Sequence, residues 1–279
     1  KTTPFDFDGD GKADFVVFRS STNIWYGLQT SNWQVTQVNF GISGDIVAPG
    51  DFDGDGKTDI AIFRPASGDW WYAASSLGGA HRTIQWGVSG DIPRPSDYDG
   101  DGKTDYVVYR PSNGTWYRKN SLGNTSTIAF GAPGDQPLVG DFDGDGKSDP
   151  AIFRPSTGDW WYAASSANNQ HRAGHWGQTG DIPVPADYDG DGKTDVAVFR
   201  PSEGGWYIFN SSTLSARTLA FGTSGDRPIA ADYDGDGQAD VGVFRPSNGV
   251  WYLLQSTSGF GALQWGISTD TPAQTSFLP

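Results

Sequence analysis

Residues 51–59 read DFDGDGKTD, and this nine-residue pattern, Asp-x-Asp-Gly-Asp-Gly-x-x-Asp, occurs six times in the chain of 279 residues. The copies begin at Asp6, Asp51, Asp97, Asp141, Asp187 and Asp232, so successive copies are 44 to 46 residues apart. A repeat of this length is typical of propellers and other arrays, in which each unit buries its apolar surface against its neighbours. The motif therefore predicts a repeat protein of six units.

Other residues of each unit recur at the same step as the aspartate motif. A tryptophan that precedes a tyrosine is assigned to one common position, where we expect it to pack between units: Trp25, Trp71, Trp116, Trp161, Trp206 and Trp251. Each unit ends on an aromatic-Gly pair, and the aromatic residue alternates between Phe and Trp from Phe40-Gly41 to Trp265-Gly266. This alternation indicates a longer repeat of two units that is present three times.

The composition favours strands. The 39 Gly and 17 Pro argue against long helices, and an aromatic content of 14% is typical of short strands joined by tight turns. We therefore predict an all-β fold, a six-bladed β-propeller of four-stranded antiparallel blades. In the fifth unit the strands are expected at residues 181–188, 195–200, 205–210 and 217–221.

Residues 1–279 are expected to form a single propeller domain. The predicted blades are residues 1–44, 45–90, 91–134, 135–180, 181–225 and 226–270. Residues 271–279 resemble the first strand of another unit but lack its aspartates, and they are expected to form a closing strand against the N-terminal blade.

Charge and cysteine content exclude several classes of protein. The formal net charge of −14 argues against nucleic-acid binding, and the sequence has no stretch apolar enough for membrane insertion. The chain has no Cys, so no disulfide holds the fold. Of the 33 acidic residues only Glu203 is a glutamate, a bias that surface solubility does not explain. We expect a monomeric propeller, secreted or at the cell surface, stabilised by something other than disulfides.

The aspartate motif predicts a calcium site. Calcium takes six to eight oxygen ligands, and alternate aspartates on a loop bent at glycine can converge on one ion. The predicted ligands are the carboxylates at positions one, three, five and nine of each motif and the backbone carbonyl at position seven. In chain order these are Asp6, Asp8, Asp10, Lys12 and Asp14; Asp51, Asp53, Asp55, Lys57 and Asp59; Asp97, Asp99, Asp101, Lys103 and Asp105; Asp141, Asp143, Asp145, Lys147 and Asp149; Asp187, Asp189, Asp191, Lys193 and Asp195; Asp232, Asp234, Asp236, Gln238 and Asp240.

We expect about six Ca²⁺ per chain. A single Asp-x-Asp-Gly run is better interpreted as a polar hairpin turn, but six intact copies favour the metal. Mg²⁺ fits less well because it prefers rigid octahedral sites and retains its water.

Residues 221–252, FGTSGDRPIAADYDGDGQADVGVFRPSNGVWY, resemble FG-GAP or VCBS repeats, and the resemblance extends over essentially the whole chain. Those families include the head of the integrin α-subunit and several fungal and bacterial lectins. The resemblance implies a calcium-bearing propeller that binds glycans or proteins, with each ion in the loop between the first and second strands. The same propeller also occurs in polysaccharide lyases, so the resemblance leaves the ligand open.

Two units carry residues that the repeat does not require. Units two and four share the additions Asp69, Trp70, His81 and Arg82 and their counterparts Asp159, Trp160, His171 and Arg172, with each His-Arg pair in a turn. An exposed tryptophan beside polar side chains suits a sugar ring, so these residues are candidate ligand-binding sites. The alternative is that Trp70 and Trp160 are local packing.

The second acid of each unit, exemplified by Asp45, is interpreted as an Asx-turn or as the ion-pair partner of the unit's arginine. Three His, one Glu and no Cys are few groups for catalysis, and no nucleophile or metal-hydrolase motif is present. We therefore predict a binding module and not an enzyme. The alternatives are a polysaccharide lyase or hydrolase propeller, or a scaffold for protein adhesion.

Overall fold

The computed structural model describes residues 3–277, which contain strands and three short 3-10 helices, Ser75–Leu77, Ser165–Ala167 and Ala273–Phe277. The strands form six four-stranded antiparallel sheets, and the predicted all-β, six-bladed propeller fold is confirmed. By contacts the chain forms two compact units, one that runs to Pro133 and includes Thr269–Phe277, and one over Gly134–Ser268. No helix of the described region is long and apolar enough to span a bilayer.

The first unit contains the first three sheets. Sheet one includes β1 (Phe15–Arg19), β2 (Ile24–Leu28) and β3 (Val35–Asn39). Sheet two consists of β4 (Ile46–Val47), β5 (Ile60–Arg64), β6 (Asp69–Ala74) and β7 (Ala80–Gln85). Sheet three consists of β8 (Ile92–Pro93), β9 (Tyr106–Arg110), β10 (Thr115–Lys119) and β11 (Thr125–Ala129).

The second unit contains the other three sheets. Sheet four consists of β12 (Gln136–Gly140), β13 (Asp149–Arg154), β14 (Asp159–Ala164) and β15 (Gln170–His175). Sheet five consists of β16 (Ile182–Pro183), β17 (Val196–Arg200), β18 (Gly205–Asn210) and β19 (Ser215–Ala220). Sheet six consists of β20 (Arg227–Pro228), β21 (Val241–Arg245), β22 (Val250–Gln255) and β23 (Gly259–Gln264).

The C-terminal segment supplies the fourth strand of sheet one. Strand β24 (Thr271–Pro272) pairs antiparallel with β1, and the side chain of Gln274 donates a hydrogen bond to the carbonyl oxygen of Asp14 at 2.8 Å. An ion pair between Arg19 and Asp270 at 2.8 Å also joins the two ends of the chain. Residues 278 and 279 of the predicted closing strand lie outside the described residues.

The first strand of sheet five is shorter than predicted, because only Ile182–Pro183 of residues 181–188 is a strand. Pro183 and Pro185 have no N–H to donate to a ladder, and the pairing continues only through the hydrogen bond from Val184 to Ala197 and the bridge between Ala186 and Asp195. The other three strands of this sheet begin and end within two residues of their predicted bounds.

Each sheet has a buried tryptophan on its third strand, and in two sheets it is not the predicted one. Trp70 is 1% exposed and Trp160 is 3% exposed, whereas Trp71 and Trp161 are only partly buried. Trp70 pairs across the ladder with Phe63, and the two rings lie 5.3 Å apart. Its indole N–H donates to the carbonyl of Trp86 at 2.7 Å. The prediction that Trp71 and Trp161 occupy the common core position was therefore wrong.

The reason for the error is the register between the second and third strands. In sheet one Trp25 follows Arg19 by six residues, and Trp70 follows Arg64 by the same step. The ladder keeps this step, so Trp71 takes the position of Tyr26, under the guanidinium of the strand-two arginine. Arg19 lies 4.4 Å from the ring of Tyr26, and Arg64 lies 5.5 Å from the ring of Trp71.

Candidate metal centres

In sheets two to six the aspartate motif forms the loop between the first and second strands, as residues 51–59 do between β4 and β5, and in sheet one it directly precedes β1. The carboxylate of Asp51 accepts hydrogen bonds from the N–H groups of Gly54 at 2.6 Å and Gly56 at 2.9 Å. Both glycines have positive φ, +81° and +88°, which other residues rarely adopt. The glycines thus bend the loop around its first aspartate.

The ninth residue of the motif anchors the loop to the rest of the sheet. Asp59 is buried, and its carboxylate accepts hydrogen bonds from the N–H of Phe52 at 3.0 Å and from that of Ser75 at 2.7 Å. Ser75 follows the third strand of the same sheet. The ninth aspartate therefore fixes the loop to the connection between the third and fourth strands.

The carboxylates of each loop converge. In five loops a carboxylate oxygen from each of three aspartates lies within 4.8 Å of the other two, and the groups are Asp6, Asp8 and Asp10; Asp51, Asp53 and Asp59; Asp97, Asp99 and Asp101; Asp141, Asp143 and Asp149; Asp187, Asp189 and Asp195. The predicted ligands Asp55, Asp145 and Asp191, at position five, and Asp14 and Asp105, at position nine, lie outside these groups. The carbonyls of the residues at position seven stay predicted ligands.

The donor set fits a hard cation. In the sixth loop one carboxylate oxygen of Asp234 is buried and has no hydrogen-bond partner among the described residues. An oxygen anion in this state is costly unless a positive charge compensates it. All the converging side chains are carboxylates, which calcium prefers as ligands.

The ninth aspartates titrate well above the ordinary range of a carboxyl group. Burial, with a smaller contribution from the charges of Asp99 and Asp97, raises the pKa of Asp105 to about 7. Burial likewise raises the pKa of this residue to about 6 in the other five loops, at Asp14, Asp59, Asp149, Asp195 and Asp240. Without a cation, these loops hold protons at a pH where most aspartates are ionised.

Hydroxyl and amide groups beside the loops were not predicted. The side chain of Ser76 donates to the carboxylate of Asp53 at 2.8 Å, and that of Ser31 donates to Asp8 at 2.6 Å. In sheet three the amide of Asn120 donates to Asp99 at 2.7 Å. The sequence signal was the polar pair that follows the third strand in each unit, such as Ser75-Ser76. These groups orient the aspartate at position three.

The interpretation of the second acid is confirmed, because in each sheet it pairs with the arginine of the second strand. Arg64 contacts Asp45 through two hydrogen bonds of 2.9 Å, and the carboxylate also accepts the N–H of Ile42 at 2.8 Å. The other pairs are Arg19 with Asp270, Arg110 with Asp91, Arg154 with Asp135, Arg200 with Asp181 and Arg245 with Asp226. These acids are structural.

The residues of the predicted glycan sites do not lie as expected in units two and four. Trp70 and Trp160 are buried and cannot present a ring face to a ligand, so this part of the prediction was wrong. The two His-Arg pairs are exposed but lie on the fourth strands β7 and β15, not in a turn. Asp69 accepts a hydrogen bond from Ser67 at 2.5 Å, and Asp159 pairs with His175 at 2.9 Å.

Instead, a cleft of about 210 Å³ between sheets one and two brings His81 together with Trp71. Its wall consists of Asn39, Phe40, Gly41, Ile62, Arg64, Trp71 and His81. The ring of His81 lies edge-on to that of Phe40 at 5.0 Å. Between sheets two and three a tryptophan takes the place of Phe40, and the indole N–H of this Trp86 donates to the carbonyl of Tyr117 at 3.2 Å. The alternation of Phe and Trp thus distinguishes the two junctions.

A sequence model of the FG-GAP-like repeat matches residues 6–62, 97–152 and 187–243, which together make up more than half of the chain. The chain belongs to the FG-GAP-like repeat family. Each match begins at the first aspartate of one motif and extends through the next motif, so the FG-GAP-like match follows the longer repeat of two units. Among curated protein sequences none matches this FG-GAP-like chain significantly.

Solved structures with the same fold have dissimilar sequences. A lectin of Agrocybe aegerita that recognises non-reducing terminal N-acetylglucosamine is 16% identical, with a TM-score of 0.60 over 94% of this chain and 79% of the lectin chain. Virginiamycin B lyase from Staphylococcus aureus is 8% identical, with a TM-score of 0.57 over 95% and 88% of the two chains. BBS1N, solved in complex with ARL6DN, is 12% identical, with a TM-score of 0.55 over 92% and 77%. At these identities the similarity is one of fold alone.

Proposed function

We propose that the chain is a calcium-stabilised β-propeller that acts as a binding module outside the cell, with a glycan as its ligand. The observation that carries the calcium part is the convergence of aspartate carboxylates in the motif loops. Six divalent ions would add 12 positive charges and change the formal net charge from −14 to −2. Sites of this kind in extracellular proteins have dissociation constants of about 10⁻⁴ to 10⁻³ M, which suits a calcium-rich space.

The ion would be held by the aspartates at positions one, three, five and nine and by the carbonyl at position seven. When bound, it supplies positive charge to carboxylates that otherwise repel one another. The chain's own groups keep these carboxylates in place. In sheet two the glycine N–H groups hold Asp51, Ser76 holds Asp53, and the N–H groups of Phe52 and Ser75 hold Asp59.

An ion in this loop would therefore tie the first two strands of a sheet to the connection between its third and fourth strands. The anchor residue Ser75 lies in that connection, and Asp59 precedes the second strand. Calcium would thus cross-link segments of the chain, as disulfides do in many extracellular proteins, since this chain has no Cys.

The glycan part of the proposal is supported by the cleft between sheets one and two. Sugar sites combine an aromatic face with directional polar groups, and this cleft has the ring of Trp71 beside Arg64, Asn39 and His81. Arg64 bonds Asp45 through Nε and Nη2. The Agrocybe aegerita lectin with the same fold adds support for a glycan.

A glycan array, run with and without a chelator, tests this part. If the cleft binds a sugar, Trp71→Ala and His81→Ala should each abolish retention of the glycan that the array identifies. Tyr252→Ala is the matched control, because Tyr252 also stacks under an arginine, at 4.4 Å in sheet six, but lies outside the cleft. Equal retention by all three variants would remove the cleft from the proposal.

A catalytic role as a polysaccharide lyase or hydrolase is the second candidate. The observation that favours it is the contact between His175 Nδ1 and the carboxylate of Asp159 at 2.9 Å, an arrangement that can serve a general base. Incubation of the glycan with the wild type and with His175→Ala, followed by chromatography of the products, distinguishes the two. Cleavage of the glycan by the wild type but not by His175→Ala would show that the chain is an enzyme and would contradict the proposal of a binding module.

A further inference from the structure

Neighbouring aspartate loops are joined by a backbone hydrogen bond. The carbonyl oxygen of Asp6, the first residue of loop one, accepts the N–H of Thr58, the eighth residue of loop two, at 2.6 Å. The same bond occurs at 2.7 Å from Thr104 to Asp51, from Thr194 to Asp141 and from Ala239 to Asp187. Loops two, three, five and six therefore each donate to the first aspartate of the loop before them.

The peptide group that donates this N–H also contains a predicted calcium ligand. Its carbonyl is that of the preceding residue, Lys57 in loop two, which is the predicted backbone ligand at position seven. One planar peptide thus carries a predicted ligand of one site in its carbonyl and is hydrogen-bonded, through its N–H, to the backbone carbonyl of the first aspartate of the neighbouring loop. A cation on the carbonyl oxygen polarises the peptide and makes its N–H a stronger donor.

The side chain at position seven of one loop also lies against a glycine of the loop before it. A Cβ added to Gly9 of loop one would lie 2.9 Å from the Lys57 side chain of loop two, and one added to Gly54 would lie 2.7 Å from Lys103 of loop three. The side chain at position eight is not required for the bond, because Ala239 makes it in loop six. The contact between loops is therefore a property of the backbone and of the residue at position seven.

We propose that adjacent cation sites are thermodynamically coupled through this shared peptide, so that occupation of one site raises the affinity of the next about fivefold, near the lower end of known couplings. This inference rests on the proposed binding of calcium. By linkage the coupling is reciprocal, so either site strengthens the other. Sites that share no peptide, such as loops two and five, are independent.

Double-mutant cycles test the coupling. Asp53→Asn with Asp55→Asn removes site two, Asp99→Asn with Asp101→Asn removes site three, and Asp189→Asn with Asp191→Asn removes site five. The substitutions spare the first and ninth aspartates, which hold the loop backbone. They also match the charge of the loop, because four carboxylates with one Ca²⁺ and two carboxylates without an ion carry the same net charge. In calcium, long-range electrostatic interactions between the loops therefore stay nearly constant.

The free energy of unfolding of each variant is measured in saturating calcium and again in chelator. With calcium, the combined loss for sites two and three should be smaller than the sum of the single losses by the equivalent of a fivefold change in affinity, about 1 kcal/mol. The losses for sites two and five should add. In chelator, neither pair should show this coupling.

Additive losses for sites two and three in calcium would overturn the coupling while leaving the calcium sites in place. Calorimetry of the wild type separates this result from failure of the proposed function, because a protein that binds no calcium would show no heat of binding. A coupling of equal size in chelator would also overturn the inference, since the effect would then belong to the loops without their ions.

Discussion

The adjacent residues Trp70 and Trp71 should differ sharply in their effect on stability. Trp70 is 1% exposed, packs on Phe63 at 5.3 Å and on Tyr106 at 5.8 Å, and donates its indole N–H to a backbone carbonyl. Removing a side chain of this size from a core costs about 3 to 5 kcal/mol, so Trp70→Ala should lower the free energy of unfolding by that amount.

Trp71→Ala should cost much less. Its ring is partly exposed, its indole N–H has no partner among the described residues, and its main polar contact is Arg64 at 5.5 Å. A cation–π contact of this kind contributes about 0.5 to 1 kcal/mol. Urea unfolding of both variants in calcium buffer measures the difference, with Trp160→Ala and Trp161→Ala as an independent pair. If Trp71→Ala destabilised the protein as much as Trp70→Ala, the register described for sheet two would be refuted.

Two further predictions concern ionisable groups. In chelator, the melting temperature should rise as the pH falls from 7 towards 4, because the ninth aspartates have a folded-state pKa of about 6 or 7, above the 3.8 of an ordinary aspartate, and their buried charge is then removed. In calcium the melting temperature should instead fall with pH, because protons compete with the ion for the carboxylates. Calorimetric scans from pH 7 to pH 4 measure both, and the same direction of change in chelator and in calcium would contradict this prediction. Arg64→Ala should cost about 3 kcal/mol, because the Asp45 side chain is only 1% exposed and would lose its partner. Urea unfolding measures this loss, and adding Asp45→Asn to Arg64→Ala should restore part of the stability because it removes the unpaired buried charge. If Arg64→Ala alone were as stable as the wild type, the prediction would be wrong.

The fold could be predicted from the sequence because the repeat is regular. The step of 44 to 46 residues predicted the number of units, and the acid and arginine of each unit indicated the pair that Asp45 and Arg64 form. The register of Trp70 was predictable as well, from the constant step of six residues after the arginine. The Trp-Tyr pair obscured it, because in Trp70-Trp71-Tyr72 the second tryptophan takes the position that Tyr26 has in sheet one, and the tyrosine lies one position later.

The contacts between sheets and the length of the first strand could not be predicted from the repeat pattern of the sequence. The bond from Thr58 to Asp6 and the contact of His81 with Phe40 join residues of different sheets. Their pairing depends on how one sheet packs on the next, which no local periodicity encodes. The length of the first strand was limited by prolines whose effect depends on which N–H groups face the ladder.

The amount of calcium bound per chain tests the central claim most directly. Protein dialysed against calcium and then freed of unbound ion should contain six Ca²⁺ per chain by elemental analysis, one for each aspartate motif. Because ions that bind only the folded state stabilise it, the same protein should melt at a clearly lower temperature in chelator. Fewer than four bound ions, together with a melting curve that the chelator leaves unchanged, would mean that the motifs are polar turns and that calcium does not stabilise this propeller.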